Sequence, residues 1–158
     1  MIRRLDRPED YGLCADIWLE SSLAAHDFIP ASFWRDQRSM MAERYLPGSA
    51  VYLAIDEGSG RILGFAALDG PRLAALFVRP EDQGRGVGRT LLNYLFDRKD
   101  ELSLAVYLKN GRAIAFYLRQ GFESGETGVC PHTGEAEMTM RWHKKTPVND
   151  EGLNIWSG

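Results

Sequence analysis

The sequence predicts an α/β protein, a mixed sheet flanked by helices with the element order βααβββαβαββ. Three observations carry this expectation. A strand-like run, Leu73-Ala74-Ala75-Leu76-Phe77-Val78, leads through the turn Gln83-Gly84-Arg85-Gly86-Val87-Gly88 into a helix-like run, Arg89-Thr90-Leu91-Leu92-Asn93-Tyr94-Leu95-Phe96. A second strand and helix follow and stop at Gly121, where glycine suits a left-handed helix end. Ahead of both, two apolar runs flank Asp56-Glu57-Gly58-Ser59-Gly60, whose glycines and acid favour a hairpin turn.

Taken in order, Ile2 to Leu5 reads as a short strand. Pro8-Glu9-Asp10 opens a helix, with proline in the first turn and acids near the positive end of the dipole. That helix runs to about Leu23, and Leu13, Ile17 and Leu23, flanked by Trp18, mark its apolar face. Residues 24–29 link it to a second helix from Pro30 to about Tyr45, stopped by Pro47-Gly48-Ser49. Strands follow at Val51 to Ile55, Arg61 to Leu68 and Arg72 to Val78, forming a meander. Beyond the glycine-rich turn come a helix to about Asp97, a strand from Leu102 to Tyr107 and a helix from Gly111 to Gln120. The last strands are expected at Phe122 to Gly125 and Glu135 to Trp142, with Thr127 to Gly134 as a loop. Residues 1–143 thus read as one domain and 144–158 as a tail, without internal repeats or low-complexity segments.

With 158 residues the chain suits a single domain that buries roughly 70% of its unfolded surface. Its 44% hydrophobic and 26% charged content is ordinary for a soluble globular protein. A net charge of -3 gives no whole-protein attraction to nucleic acid or anionic membranes, so neither is an expected partner. Cys14 and Cys130 form no C-x-x-C pair, and His132 and His143 have no metal-ligand spacing with Cys130, so no metal is expected. The start Met1-Ile2-Arg3-Arg4 runs into polar residues, with no expected secretory signal or membrane span. A reduced, cytoplasmic protein is the simplest expectation.

The turn at 83–88 reads as a phosphate cradle. Glycines at 84, 86 and 88 remove side chains that would keep an anion from the backbone, at a helix start whose dipole favours negative charge. Arg85 and Arg89 add a local basic patch, and Gln83 opens the loop. No Gly-Lys-Ser or Gly-Lys-Thr is present, which excludes a P-loop, and the glycine spacing and mid-chain position do not match a dinucleotide fingerprint.

Asn110, Ala113, Phe116, Tyr117, Gly121 and Phe122 complete a second pattern, N-x-x-A-x-x-F-Y-x-x-x-G-F. Strand, Q-G-x-G-x-G, helix, strand and N-x-x-A-x-x-F-Y in this order resemble the GNAT superfamily of acyl-coenzyme A-dependent N-acetyltransferases, over about residues 2 to 142. In the N-terminal third, Ile17-Trp18-Leu19-Glu20-Ser21, His26, Phe28-Ile29 and Phe33-Trp34-Arg35-Asp36 resemble small bacterial acetyltransferases of the YiaC type, with the YjaB type close behind. The resemblance implies acetyl-coenzyme A as co-substrate and an amine acceptor, either a protein lysine or a small molecule, handled by a monomer or a homodimer. A sensor that binds the coenzyme without catalysis is the expectation from a different class.

The same resemblance assigns candidate roles. It places Tyr117 beside the coenzyme sulfur as general acid, which suits a phenol that stays neutral at pH 7; a core aromatic on an amphipathic helix is the other reading. Leu76, Phe77 and Val78 would offer backbone groups to the pantetheine and polarise the acetyl carbonyl at a strand bulge or splay, with Phe77 walling the acceptor site. The turn, Gln83, Gly84, Arg85, Gly86, Val87, Gly88 and Arg89, would take the pyrophosphate, Gln83 serving as loop scaffold. Asn110 would contact the coenzyme or cap the following helix. Some relatives carry a strand glutamate five residues before that asparagine, but here the position is Ala105. Glu20, His26, Asp27 or a water relay could replace it, since a lysine amine must lose a proton before attack. Phe28, with Trp18, Phe33 and Trp34, could line an acceptor groove or belong to the core.

Overall fold

The structure, a computed structural model, describes residues 1–145. Its elements are β1 (Ile2–Arg4), α1 (Asp10–Ala25), α2 (Ala31–Met40, continued by a π-helical turn at Met41–Tyr45), β2 (Ala50–Ile55), β3 (Ile62–Asp69), β4 (Arg72–Val78), α3 (Val87–Phe96), β5 (Glu101–Tyr107), α4 (Gly111–Arg119), β6 (Glu123–Val129) and β7 (Ala136–His143). This is the expected order. Of the tail expected from Lys144 onward, residues 146–158 lie outside the described residues.

One seven-stranded sheet, in the order β1-β2-β3-β4-β5-β7-β6, separates two cores. Against α1 and α2 pack Leu53, Phe65 and Ala75 with Cys14, Ile17, Trp18 and Trp34. Against α3 and α4 pack Leu104, Met138 and Met140 with Leu91, Leu92, Leu95 and Phe122. The sheet is antiparallel from β1 to β4 and again across β5, β7 and β6, while β4 and β5 run parallel. A parallel pair needs a crossover, and α3 supplies it.

Two expectations need correction. The buried face of α1 is Cys14, Ile17, Trp18 and Ser21, a helical stripe with small members, whereas Leu13 is 44% exposed. Small Cys and Ser side chains let α1 approach the sheet closely, and their low hydrophobicity hides that face from a count of apolar residues. The second correction concerns β6, which reaches Val129 and does not stop at Gly125. An irregularity between Ser124 and Thr127 restores pairing, Thr127 to Met138 and Gly128 to Glu137. Gly125 is required there, because an added Cβ would lie 2.8 Å from the Thr139 carbonyl oxygen. The loop shrinks to residues 130–135, closed by the Cys130 N–H donating to Glu135 O at 2.8 Å.

Candidate active site

A cleft opens where β4 and β5 part. Their parallel pairing is confined to Arg72 and Ser103, after which the two strands diverge. Just beyond that pair β4 carries an extra residue: Ala75 faces Ala67 and Leu73 faces Leu68, so Ala74 bulges out of the ladder. Between the strands lies a cleft of about 630 Å³, walled by Leu73 to Phe77, Leu104 to Tyr107, the α1–α2 side chains Trp18, Ser22, His26, Phe33 and Trp34, and Asn110, Ala113 and Tyr117.

The backbone of β4 presents polar groups to this cleft. The Arg79 N–H donates to Leu63 O at 2.9 Å, so odd positions here bond β3 and the even ones, Leu76 and Val78, turn their amides toward the missing β5 partner. The Val78 carbonyl accepts from Ser21 Oγ at 2.9 Å and Gln83 Nε2 at 3.1 Å. The Leu76 amide and carbonyl and the Val78 amide keep no strand partner, and such groups call for a ligand or water. Side chains alternate as expected. Leu76 packs toward α3 and α4, while Phe77 packs toward α1 and α2, 6.0 Å from Phe65, and walls the cleft.

The glycine-rich turn is held open by its own chemistry. Gly84 and Gly86 have φ of +77° and +83°, left-handed values that side chains resist, and a Cβ at either would meet nothing within 4 Å. Gly86 is the N-cap of α3 without a side-chain cap, so the first-turn N–H groups are left without a capping partner among the described residues. An anion fits this place. Gly88 serves differently: its Cβ would sit 3.2 Å from Phe116 Cζ, so it lets α3 pack against α4. Gln83 is scaffold through its bond to Val78. Arg85 pairs with the buried Asp82 at 3.1 Å, as does Arg61, whereas exposed Arg89 makes no ion pair among the described residues.

At the other end of the cleft, Asn110 joins two distant segments. Its Oδ1 accepts the Ala113 N–H at 3.2 Å, capping α4, and its Nδ2 lies 3.2 Å from His26 Nε2. Capping fixes the amide's orientation, so Nδ2 donates and His26 Nε2 accepts. The neutral ring then carries its proton on Nδ1, which is buried without a partner among the described residues, like Ser22 Oγ and Trp34 Nε1 on the same wall. Burial also lowers the His26 pKa. The basic nitrogen of His26 is therefore already engaged, which leaves it poorly disposed to receive an acceptor's proton.

Tyr117 projects from α4 into the cleft, its ring 5.4 Å from Phe122. Its hydroxyl makes no hydrogen bond among the described residues, and burial raises its pKa above the ordinary phenol value. Phe28 stands behind the cleft wall, edge-on to His26 at 5.7 Å and Tyr107 at 5.6 Å. Glu20 and Asp27 are exposed and lie outside the wall. Trp18 and Trp34 are both core and lining, 5.6 Å apart.

Reading the sequence missed Tyr107, Cys130 and Glu137, all on the wall. Tyr107 shares a strand face with Ala105, so period-two alternation could have found it. Its hydroxyl is 3.7 Å from Cys130 Sγ, and burial pushes its pKa up to about 12. Burial raises the Cys130 thiol as well, but hydrogen bonds from Thr133, the His132 and Thr133 backbone and Tyr107 bring it below its usual value. Among the described residues no group of three or more His, Cys, Asp or Glu could hold a metal. No helix among them is long and apolar enough to cross a membrane.

A sheet opened along the strand that leads into an anion cradle, with a phenol unpartnered among the described residues on the wall of the opening, is suited to moving an acyl group from a coenzyme A thioester to an amine. Known proteins bear this out. Residues 47–124 match the acetyltransferase (GNAT) domain. The chain is 40% identical to the peptidyl-lysine N-acetyltransferase YiaC of Escherichia coli K12, over 90% of this chain and 96% of that protein. It is 34% identical to the peptidyl-lysine N-acetyltransferase YjaB of the same organism, over 77% of this chain and 81% of that one. The solution structure of apo YjaB from Escherichia coli superposes with a TM-score of 0.79 at 28% identity, over 90% of this chain and 96% of that one. The chain belongs to the GNAT family and is an acetyl-coenzyme A-dependent N-acetyltransferase acting on an amine acceptor.

Proposed function

We propose that this enzyme acetylates the side-chain amines of protein lysines, with Tyr117 as general acid. The observation that carries the reading is the placement of the Tyr117 hydroxyl, without a hydrogen-bond partner among the described residues, in the same cleft as Leu76, whose amide lies on the strand edge that β5 leaves unpaired. When bound, acetyl-coenzyme A supplies the activated acetyl group. Gly84, Gly86 and the first-turn amides of α3 hold its pyrophosphate, with Arg89 adding charge and Arg85 divided between that site and Asp82. Leu76 and Val78 hold the pantetheine and polarise the acetyl carbonyl. Tyr117, kept protonated by burial, donates its proton to the departing sulfur as the amine's bond to the carbonyl carbon forms. Asn110 orients α4, and with it Tyr117, through the cap.

A protein lysine suits the cleft better than a polycation. Among the charged lining residues the carboxylates Asp69 and Glu137 are matched by the guanidiniums Arg44 and Arg72, whereas a polyamine site needs a surplus of acids. The naming of two well-covered relatives as peptidyl-lysine N-acetyltransferases points the same way. Residues 1–143 form the catalytic domain in this reading, and the free thiols of Cys14 and Cys130 favour the reducing cytoplasm. The test is release of free coenzyme thiol with lysine peptides and with spermidine, peptide products being read by mass spectrometry. Thiol release matched by acetyl-lysine supports the proposal; release with spermidine alone contradicts it.

A further inference from the structure

Ala105 leaves the acceptor face of β5 without a carboxylate, yet the neighbouring strand carries one on that same face. In the antiparallel ladder of β5 and β7, Tyr107 lies opposite Glu137 and Ala105 opposite Thr139. Directly opposed residues project to one side of a sheet. Leu104, Val106, Met138 and Met140 fill the α3–α4 core, and Tyr107 packs toward α1 and α2, so Glu137 stands on the α1–α2 side with Tyr107 and Ala105. It is the diagonal neighbour of Ala105, at a Cβ separation of about 7 Å. One register step and one strand therefore separate it from the expected glutamate, a gap its own side chain can span.

The surroundings of Glu137 suit a cationic ligand. Glu137 lines the cleft and is half-buried, yet makes no ion pair among the described residues. The nearby Lys109 is engaged elsewhere, 3.2 Å from Glu135. On its other flank Glu137 pairs with Gly128, whose missing side chain leaves open space directly across the ladder. The titratable and charged groups around it are Tyr107 from β5, Cys130 and His132 from the β6–β7 loop and His26 from the end of α1, with the Lys109–Glu135 pair outside the wall. Burial pushes the Tyr107 pKa up to about 12, which keeps it neutral, and His26 is held neutral by burial and by Asn110.

We propose that Glu137 receives the acceptor's ammonium group and, directly or through one water, takes the proton that must leave before attack. This rests on the reading of the cleft as an amine-acetylating site. The balance is simple: the ammonium N–H bond breaks with its proton passing to the Glu137 carboxylate, and the freed nitrogen pair forms the amide bond. The C–S bond breaks with its electron pair going to sulfur, which takes the Tyr117 proton. The nitrogen, positively charged once its bond to carbon has formed, loses its second proton by way of solvent to the tyrosinate, and the Glu137 proton passes to bulk, leaving a net release of one proton per acetyl transferred.

The experiment compares Glu137→Gln and Glu137→Asp with wild type, measuring kcat/KM for a lysine peptide across pH and the Kd for acetyl-coenzyme A by calorimetry. Glu137→Gln should lose about 10²-fold in kcat/KM at neutral pH, with coenzyme Kd unchanged. The gap should narrow as pH approaches the free amine's value of about 10.4, and Glu137→Asp should recover part of the loss. Wild-type activity and pH profile in Glu137→Gln overturn the proposal while leaving lysine acetylation intact. Equal losses in both variants at every pH, or a weakened coenzyme Kd, overturn it by showing a structural role. If wild type uses a polyamine and no peptide, the lysine reading fails, and the same pH comparison on that amine still decides the part of Glu137.

Discussion

The two ends of the cleft are built by different means. At the proposed coenzyme end, which runs from β4 into the glycine-rich turn, the groups on offer are backbone amides: the first turn of α3, the left-handed Gly84 and Gly86, and the unpaired stretch of β4 at Leu76 and Val78. At the proposed acceptor end they are side chains, His26, Tyr107, Asn110, Cys130 and Glu137, drawn from four separate stretches of chain. Backbone donors are fixed by conformation, so the coenzyme end tolerates change only where φ and close packing allow. Side chains can be exchanged singly, so the acceptor end can change its partner while the coenzyme end stays as it is.

The largest expected effect lies at the coenzyme end. Gly86→Glu places a carboxylate where φ is +83° and where the pyrophosphate would sit, and acetyl-coenzyme A binding should disappear by calorimetry while far-ultraviolet circular dichroism stays native. Retained binding would show that the amides of this turn are not the anion site. Gly64→Ala tests the strand that backs β4. Its Cβ would lie 2.6 Å from the Phe77 carbonyl oxygen and 3.0 Å from Val78 Cα, so β4 must shift. A loss of about 1–3 kcal/mol in urea unfolding is expected, together with a weaker coenzyme Kd. Normal stability and binding would mean the β4 edge is less exactingly placed than its contacts imply.

Asn110 couples the two ends, and its variants should separate them. Asn110→Ala removes the α4 cap at a cost of about 0.5–2 kcal/mol and frees His26 Nε2. Asn110→Asp keeps an oxygen for the Ala113 amide but turns an acceptor toward His26, so the ring should take its proton on Nε2 and titrate at higher pH, as read by NMR. An unchanged His26 titration would contradict the hydrogen bond between them.

The smallest effect is the pH dependence of stability. Burial depresses the His26 pKa in the folded chain, so the unfolded chain protonates first, at about 6.5. The contribution is fully present above that value and is lost as pH falls through the window down to the depressed folded value. His26→Phe should flatten that part of the urea-unfolding profile. An unaltered acid limb would assign the pH dependence to other groups.

The same contrast explains what could be read from the sequence. The turn at 83–88 and the stretch from Asn110 to Phe122 are contiguous, and each residue's conformation follows from its neighbours, so the element order, the open glycine-rich turn and the position of Tyr117 on the cleft wall were legible. Gly88, read there as anion room, also accommodates Phe116. The acceptor end depends on pairs such as His26 and Asn110, 84 residues apart, which no local pattern joins. Small buried residues hid the inner face of α1, and glycines at 125 and 128 hid the length of β6, because both depress the apolar signal that periodicity needs. Glu137 emerged only from strand register.

The separation of the two ends is tested most directly by Tyr117→Phe, measured twice on one preparation: acetyl-coenzyme A affinity by calorimetry and kcat with a lysine peptide. Removing a single hydroxyl should slow turnover by about 10²-fold or more and leave the coenzyme Kd near the wild-type value. Parallel losses in affinity and turnover would make Tyr117 a packing residue of the coenzyme end and contradict its assignment as the acid.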